Sequence, residues 1–259
     1  MPVQSNTYLS ILLSTPFLSI IIPAHNEEHR LPNTLEQVRA FLQIQPFNSE
    51  ILVVENASQD RTHQIALEFS NIHSSEKSLI RVLQVPELGK GAAVKRGMLE
   101  ARGEYRFMCD ADLSMPIGEV NRFLPPNLTG FDIAIASREA IGAVRYNEPA
   151  YRHLVGRVFN TLIRVLALPT LQDTQCGFKC FRGAVVEDLF RQQTISGWSF
   201  DVEILYIAQR RGYEIREVPI PWYYNANSKI SVVKDSFQMG LDILKIRLND
   251  LRGGYDPTR

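Results

Sequence analysis

Largely apolar runs alternate with helical patterns in the first half of the chain, and this alternation limits the possible folds more than any other feature. The runs are LSIII, EILVV, IRVLQV and YRFMC. Short runs of this kind are typical of parallel strands that are buried on both faces. Between them, apolar residues recur at helical spacing, as at Leu31, Leu35, Val38 and Leu42. We therefore expect an α/β protein with a mostly parallel central sheet and helices on both faces.

Polar segments follow three of these predicted strands. They read PAHNEE, ENASQD and DADLS, and all are rich in acids and amides. In parallel sheets, ligands bind beyond the carboxyl ends of the strands. The sequence therefore predicts that the three segments meet at one edge of the sheet and form a ligand site.

Asp110 and Asp112 are the most informative pair in these segments. Residues i and i+2 of a strand point to the same side, so the two carboxylates would repel each other if they were buried without a cation. Mg²⁺ or Mn²⁺ takes oxygen ligands and is commonly held by one or two carboxylates together with substrate phosphates. The pair is therefore a candidate metal site. The alternative is two exposed loop acids.

Charge and cysteine content exclude several other functions. Lys plus Arg (28) balances Asp plus Glu (28), so no overall positive field indicates a nucleic-acid partner. Three cysteines are too few for a disulfide framework and are typical of a reducing compartment. Cys176 and Cys180 alone do not complete a zinc site. The apolar segment before Pro23 is interrupted by Pro16 and lacks a basic start, so we expect a cytoplasmic protein without a signal peptide.

The segment GKGAAVKRG is not a nucleotide-binding loop of the Walker type. That motif needs Ser or Thr after the Gly-Lys pair, and here Gly91 follows Lys90. Lys90 is either a contact to phosphate or sugar, or a solvated loop lysine.

Taken together, the segments LSIIIPAHNEEHRL, EILVVENASQDRT, GKGAAVKRGM, DADL and ASR resemble the nucleotide-sugar-binding half of family 2 glycosyltransferases of the GT-A fold. Farther along, LQDTQCGFKCF, GWSFDVEILYIAQ and the segment from NSK onward resemble the dolichyl-phosphate β-glucosyltransferases. The resemblance covers nearly the whole chain. It implies one domain over 1–259, with a nucleotide-sugar half at about 17–140, an acceptor half at about 141–232 and an amphipathic C-terminal helix at about 233–253.

The resemblance also implies roles for particular residues. Asp112 and Asp110 would hold the metal, and Arg138 and Lys229 would lie over the phosphates of donor or acceptor. The implied nucleotide-sugar-binding residues are Pro23, Ala24, His25, Glu27, Glu55, Asn56, Asp60, Lys90, Gly91, Asp110, Ala111 and Asp112. This chain departs from the family pattern at His25, where Tyr is usual, and at Asn56, where an acid is usual. Ser114 stands where mannosyl-transferring relatives commonly carry Gln.

Asp201 is the candidate catalytic carboxylate of the second half. A hydroxyl acceptor would need a general base, and Asp201 is then our choice. A polyprenyl phosphate is already mostly dianionic and needs none, so Asp201 would orient the sugar or an arginine. The alternative is a carboxylate that caps the helix DVEILYIAQ.

The C-terminal helix carries a stripe of Phe237, Leu241, Leu244, Leu248 and Leu251. The favoured interpretation is that this stripe packs on the core. The other is an interfacial helix that touches the inner face of a membrane.

The function that the resemblance implies is inverting, metal-dependent transfer of a hexose to polyprenyl phosphate, with glucose from UDP-glucose as the expected donor group. Transfer from another nucleotide sugar such as GDP-mannose, or to a hydroxyl acceptor, is the alternative within the same fold. A catalytically silent nucleotide-binding protein would leave Asp201 and the NSK segment unexplained. A cysteine-based redox or metal protein fits worst.

Overall fold

The computed structural model describes residues 15–225 and 232–256, with the backbone alone over 232–237. Strands from both halves of the chain join one central sheet. Within the described residues this sheet has seven strands in the order β3-β2-β1-β4-β7-β5-β8. Its strands are β1 (Leu18–Ala24), β2 (Ser49–Asn56), β3 (Ser78–Val85), β4 (Tyr105–Cys109), β5 (Ile133–Ser137), β7 (Phe178–Arg182) and β8 (Ile215–Pro219). A second, two-stranded sheet pairs β6 (Val144–Tyr146) with β9 (Pro221–Tyr223).

The pairing is mostly parallel, as the apolar runs predict. β1 pairs with β2 and β4 in parallel, β2 pairs with β3 in parallel, and β5 pairs with β8 in parallel. β7 is antiparallel to both of its neighbours, β4 and β5. The polar segments that follow β1, β2 and β4 therefore leave the sheet at the same edge.

The helices are α1 (Leu31–Gln43), α2 (Thr62–His73), α3 (Lys90–Glu100), α4 (Ala150–Leu166), α5 (Gly183–Phe190), α6 (Phe200–Arg210) and α7 (Val232–Leu251), with a 3₁₀ helix at Ile117–Phe123. They cover both faces of the sheet. Ile20 and Ile22 of β1 pack on the side of α1 and α2, while Ile21 packs on the side of α3, α5 and α6. This alternation along one strand explains why its sequence is apolar throughout.

The starts of two helices can be compared with the sequence. The segment ASQDRTHQIALEF predicts a helix that opens near Ser58 or Asp60, both favourable caps, and the helix begins at Thr62. The Asp60 carboxylate still accepts a hydrogen bond from the Thr62 N–H at 2.9 Å, just before the helix. The sequence also predicts an irregular polar segment over residues 139–157 and a helix from about Gly156. That helix begins instead at Ala150, so the polar segment contains β6 and the first turns of α4.

The prediction that the C-terminal stripe packs on the core is wrong for those of its residues whose side chains are described. Leu241, Leu244, Leu248 and Leu251 are exposed, whereas Met239, Ile243 and Ile246 of the same helix are buried. The α7 sequence carries two apolar rows, and periodicity alone does not tell which of them faces the core. The Phe237 side chain lies outside the described residues. No described helix is both long enough and apolar enough to cross a bilayer.

Candidate active site

A cavity of about 660 Å³ opens at the carboxyl edge of the central sheet. Its wall includes Ala24 at the end of β1, Asn56 at the end of β2, Asp110 after β4 and Arg138 after β5. α3, α4 and α6 contribute further parts of the wall through residues such as Lys90, Phe159 and Asp201. The polar segments predicted to meet at one edge therefore do meet, and residues of the second half close the site.

Asp110 and Asp112 both line this cavity. Asp112 accepts a hydrogen bond from the Ser114 N–H at 3.1 Å. Burial and the charge of Asp110 raise the pKa of Asp112. The turn directly after Asp112 is strained, because Leu113 has a φ of +44°, a region that bulky side chains rarely occupy. The fold thus holds two carboxylates in one site at some conformational cost, which indicates a functional constraint.

The residues present fit a hard divalent cation. No group of three or more His, Cys, Asp or Glu side chains suitable for a metal occurs in the described part of the chain. Among the described carboxylates, Asp110 and Asp112 would hold the cation, and oxygens of a phosphate ligand and water would complete the coordination. This ligand set is typical of Mg²⁺ or Mn²⁺ and not of Zn²⁺.

Lys90 is part of the same site and is not a solvated loop lysine. Its Nζ lies 2.5 Å from an Asp110 carboxylate oxygen and 5.4 Å from the centre of the Trp198 ring. Burial acts to lower the pKa of Lys90, but the carboxylates of Asp110, Asp201 and Asp112 act together in the opposite direction, and the net shift is upward. A cation fixed beside the carboxylate pair can contact a phosphate oxygen of a bound ligand.

The segment after β1 is held by its own contacts. The His25 Nδ1–H donates to the Asn56 carbonyl oxygen at 2.6 Å, which leaves Nε2 to accept from the Asn26 amide at 3.2 Å. Glu27 forms a two-point ion pair with Arg30, at 2.6 and 2.7 Å. These residues line the cavity together with Pro23 and Ala24.

The polar segment at the end of β2 mainly holds neighbouring loops in place. The Asn56 amide donates to the carbonyl oxygens of Val85 and Glu87 and accepts from the Gly89 N–H at 2.8 Å. Its amide therefore fixes the loop that leads into α3. Glu55 accepts hydrogen bonds from the Ser58 N–H and the Gln84 side chain.

Three predicted nucleotide-binding residues lie outside the cavity wall, namely Glu55, Asp60 and Gly91. Gly91 has a packing role, because a Cβ there would lie 2.7 Å from Phe200 Cβ and from the Ile195 carbonyl oxygen. Contact between these residues and a nucleotide stays a prediction. Ala111, in contrast, lines the cavity as expected.

Arg138 is held by Asp173. Its Nε and Nη2 donate to the two carboxylate oxygens at 2.7 and 2.9 Å, and its backbone N–H donates to the same group at 2.9 Å. Burial acts to raise the pKa of Asp173, but the Arg138 guanidinium lowers it to about 2. Both residues line the cavity, so the pair is a fixed part of its wall and not a surface salt bridge.

Sequence reasoning missed a cluster of arginines and aromatic rings beside Arg138. Arg145 pairs with Glu139 at 2.5 Å and Glu148 at 2.8 Å, and the Trp222 ring lies against Arg138 and Arg145. Arg152 donates to the Tyr224 hydroxyl at 3.2 Å. Arg145, Arg152, Trp222 and Tyr224 all line the cavity. Guanidinium groups are good ligands for phosphate. The basic residues around the start of α4 were the sequence feature that could have indicated this cluster.

Asp201 pairs with Lys179 and does not cap its helix. Ser199 precedes α6, and the Asp201 carboxylate lies 2.9 Å from Lys179 Nζ. Burial raises the pKa of Asp201 although Lys179 and Lys90 oppose the shift. Lys179 also donates to the Cys176 carbonyl oxygen at 2.5 Å. Asp201 lines the cavity, as a site role requires.

Lys229 lies outside the described residues, so the structure says nothing of its position. The three cysteines are free and buried, and burial raises the pKa of Cys176 to about 12. Thiols of that kind are unreactive, which argues against the cysteine-based alternative.

Comparison with known proteins identifies the family. The model for glycosyl transferase family 2 matches residues 19–190. The chain belongs to glycosyltransferase family 2. The GT-A fold is confirmed as well, because the chain resembles solved GT-A enzymes. One is Mycobacterium tuberculosis glucosyl-3-phosphoglycerate synthase in complex with Mn²⁺ and UDP-glucose, with a TM-score of 0.60, 17% identity, and coverage of 96% of this chain and 84% of that one.

The chain is also similar over most of its length to dolichyl-phosphate β-glucosyltransferases of other organisms. The dolichyl-phosphate β-glucosyltransferase of Drosophila melanogaster is 35% identical, over 92% of this chain and 76% of the relative. The human dolichyl-phosphate β-glucosyltransferase is 33% identical, over 97% of this chain and 82% of the relative. The chain is therefore a glycosyltransferase, as the sequence motifs predict.

Proposed function

We propose that this glycosyltransferase moves glucose from UDP-glucose to a polyprenyl phosphate, with inversion at the anomeric carbon and with the help of a divalent cation. The observation that carries the proposal is that one cavity holds both the Asp110–Asp112 pair and the arginines Arg138, Arg145 and Arg152. Such a cavity has groups for two phosphorylated ligands, a nucleotide sugar and a phosphate acceptor. The names of the curated relatives support the acceptor, and the structural neighbour with UDP-glucose supports the donor.

Donor binding would use the residues at the ends of β1 and β4. Asp110 and Asp112 would hold Mg²⁺ or Mn²⁺, which when bound neutralises negative charge on the departing nucleoside diphosphate. Lys90 would add a positive charge at the same phosphates. His25, in the wall formed after β1, would face the nucleoside.

Acceptor binding would use the arginines of the second half. Arg145 and Arg152 would bind the phosphate of the acceptor, while Asp173 keeps Arg138 in a fixed orientation. The acceptor oxygen would attack the anomeric carbon from the face opposite the diphosphate. Because a phosphate monoester is mostly dianionic at neutral pH, the attack needs no general base. Asp201, paired with Lys179, would position ligand groups by its fixed charge.

A lipid acceptor also requires contact with a membrane. We propose that the protein reaches it peripherally, from the cytoplasmic side. Transfer from another nucleotide sugar or to a hydroxyl acceptor is the alternative, and in the second case Asp201 would act as the base.

The test is a screen of UDP-glucose, UDP-galactose and GDP-mannose against polyprenyl phosphate, with glycosylated lipid measured directly. A simple sugar alcohol serves as the hydroxyl acceptor in parallel reactions. We expect UDP-glucose with polyprenyl phosphate to exceed every other pair by about tenfold or more. Product lipid from GDP-mannose alone, or product from the hydroxyl acceptor alone, would contradict the proposal.

A further inference from the structure

α4 turns its apolar side chains outward. All 17 residues of this helix are described, and Ile163 is its only buried residue. Tyr151, Leu154, Val158 and Val165 share one face, since they follow one another at three-, four- and seven-residue steps. Between 64% and 76% of each is exposed. A helix of a water-soluble domain normally turns such a face inward, so this face indicates a binding partner.

α7 carries a second exposed apolar row. Leu241, Leu244, Leu248 and Leu251 share one face of this helix and are exposed. α4 packs against α7, so the two rows belong to neighbouring helices. We call these two exposed rows the α4–α7 surface.

The charges of the α4–α7 surface are positive. No Asp or Glu occurs between residues 150 and 166, and Arg157 and Arg164 are exposed beside the apolar row of α4. Lys245 and Arg252 are exposed beside the row of α7. The acids of the described part of α7 lie on its inner side, where Asp242 is buried and Asp250 pairs with Arg210 at 2.6 Å.

We propose that the α4–α7 surface docks on a lipid bilayer that contains anionic lipid. The apolar rows would enter the boundary between headgroups and acyl chains, and the arginines and lysine would lie at the level of the headgroups. A second copy of the chain is a poorer occupant, because packing two such surfaces would bring like charges together.

Docking in this way would bring the bilayer next to the cavity. Val155 and Phe159 of α4 and Met239 of α7 line the cavity, so the helices that meet the lipid also form its wall. A phosphate on a lipid chain could then reach the arginines while its tail stays among the lipids. Docking itself does not depend on the chemistry, whereas delivery of the acceptor rests on the proposed function.

The experiment measures co-sedimentation of the full chain with vesicles of phosphatidylcholine alone and of phosphatidylcholine with phosphatidylglycerol. We expect binding that is strongest with the anionic lipid and that falls at least about tenfold in the triple variant Leu154→Glu, Val158→Glu, Val165→Glu. The matched control is Ile44→Glu, Leu67→Glu, Ile72→Glu, which places three glutamates on exposed apolar sites outside the α4–α7 surface and should bind as the wild type does. Arg157→Glu, Arg164→Glu should remove the preference for anionic lipid.

Several outcomes would overturn the inference. The wild type could bind neither kind of vesicle, or the control could lose as much binding as the triple variant. The wild type could also form a stable dimer in sedimentation velocity that dissociates in the triple variant. Circular dichroism establishes that each variant is folded. The vesicle assay contains no donor and therefore measures docking independently of catalysis. If the protein binds vesicles but transfers no sugar in the separate screen of donors, the proposed function is contradicted and the docking surface remains supported. If the protein transfers sugar to a detergent-dispersed acceptor but binds no vesicles, the docking surface is contradicted and the proposed function remains supported.

Discussion

The Nζ of Lys179 lies 2.9 Å from a carboxylate oxygen of Asp201, and only 2% and 5% of the two side chains are exposed. A lysine and an aspartate so deeply buried are stable only as a pair, because either charge alone would be uncompensated. The pair connects β7 with the first turn of α6, at the wall of the cavity.

Replacing Asp201 distinguishes a positioning role from a role as general base. We expect Asp201→Asn to lower kcat/KM for polyprenyl phosphate about 10²-fold through lost orientation. The acid limb of the pH–rate profile should persist, because it follows the second ionisation of the acceptor phosphate near pH 6. Loss of that limb in the variant would show that Asp201 is the base.

Stability measurements separate this effect from misfolding. Asp201→Asn leaves Lys179 buried without its counter-charge, which should lower the free energy of unfolding by about 3–5 kcal/mol. The double variant Lys179→Met, Asp201→Asn removes both charges and should recover part of that loss in urea unfolding. It should not recover activity, whereas a purely structural role predicts that activity returns with stability.

Gly177 is needed because the Asp110 carboxylate occupies the space where a Cβ would be. A Cβ at this position would lie 1.8 Å from an Asp110 carboxylate oxygen. Gly177→Ala should therefore displace the Asp110 side chain, with the fold kept, and lower kcat/KM about 10²-fold. Gly118→Ala is the control, since a Cβ at Gly118 meets no atom within 4 Å. Equal activity of the two variants would show that the position of Asp110 is unimportant.

Glu203 holds the segment that carries Trp198. This fully buried carboxylate accepts hydrogen bonds from the N–H groups of Thr194 and Ile195 and from the Tyr255 hydroxyl. Glu203→Gln should lower the free energy of unfolding by about 2–3 kcal/mol, because an amide cannot accept all of these bonds.

Urea unfolding of Glu203→Gln should be compared with Glu187→Gln, where the carboxylate is mostly exposed and pairs with Arg191. This control should change stability by less than about 0.5 kcal/mol. Equal losses in the two variants would contradict the bracing role of Glu203.

The sheet and the part of the cavity wall at the ends of β1 and β4 could be predicted from sequence because each depends on local patterns. Apolar runs predict buried parallel strands, and strand ends predict where Asp110 and His25 lie. The arginine cluster could not be predicted, since Arg145 and Trp222 meet only when β6 pairs with β9. Binding of the nucleotide sugar by Asn56 stays a prediction, whereas its hydrogen bonds to Val85 and Gly89, 29 and 33 residues away, could not be predicted from local sequence.

The C-terminal helix shows a second limit. Both Ile243 and Leu244 fit a helical period, and only tertiary packing decides that the first is buried and the second exposed. The exposed apolar row of α4 could not be predicted from sequence for the same reason. Tertiary packing turns this row outward, and basic residues interrupt it in the sequence.

The Arg138–Asp173 pair predicts a pH dependence of stability. Arg138 holds the pKa of Asp173 at about 2, below the value of about 3.9 in the unfolded chain. The contribution of the pair is therefore fully present above about pH 4–5 and is lost as the pH falls toward 2.

Asp173→Asn should lower the free energy of unfolding by about 3 kcal/mol at pH 7. In urea unfolding measured at a series of pH values, the difference from the wild type should stay constant down to about pH 5 and shrink below about pH 4. A difference that does not change between pH 5 and the acid limit of folding would show that it does not come from the charge of Asp173.

The central claim is tested most directly by measuring glucosylated polyprenyl phosphate formed from UDP-glucose by the wild type and by Asp112→Ala, with Mg²⁺ or Mn²⁺ and with a chelator. We predict that the wild type forms the lipid only with the cation, and that Asp112→Ala forms it at least about 10²–10³-fold more slowly while its circular dichroism is unchanged. Unchanged turnover in Asp112→Ala, or full wild-type activity in the chelator, would contradict the account.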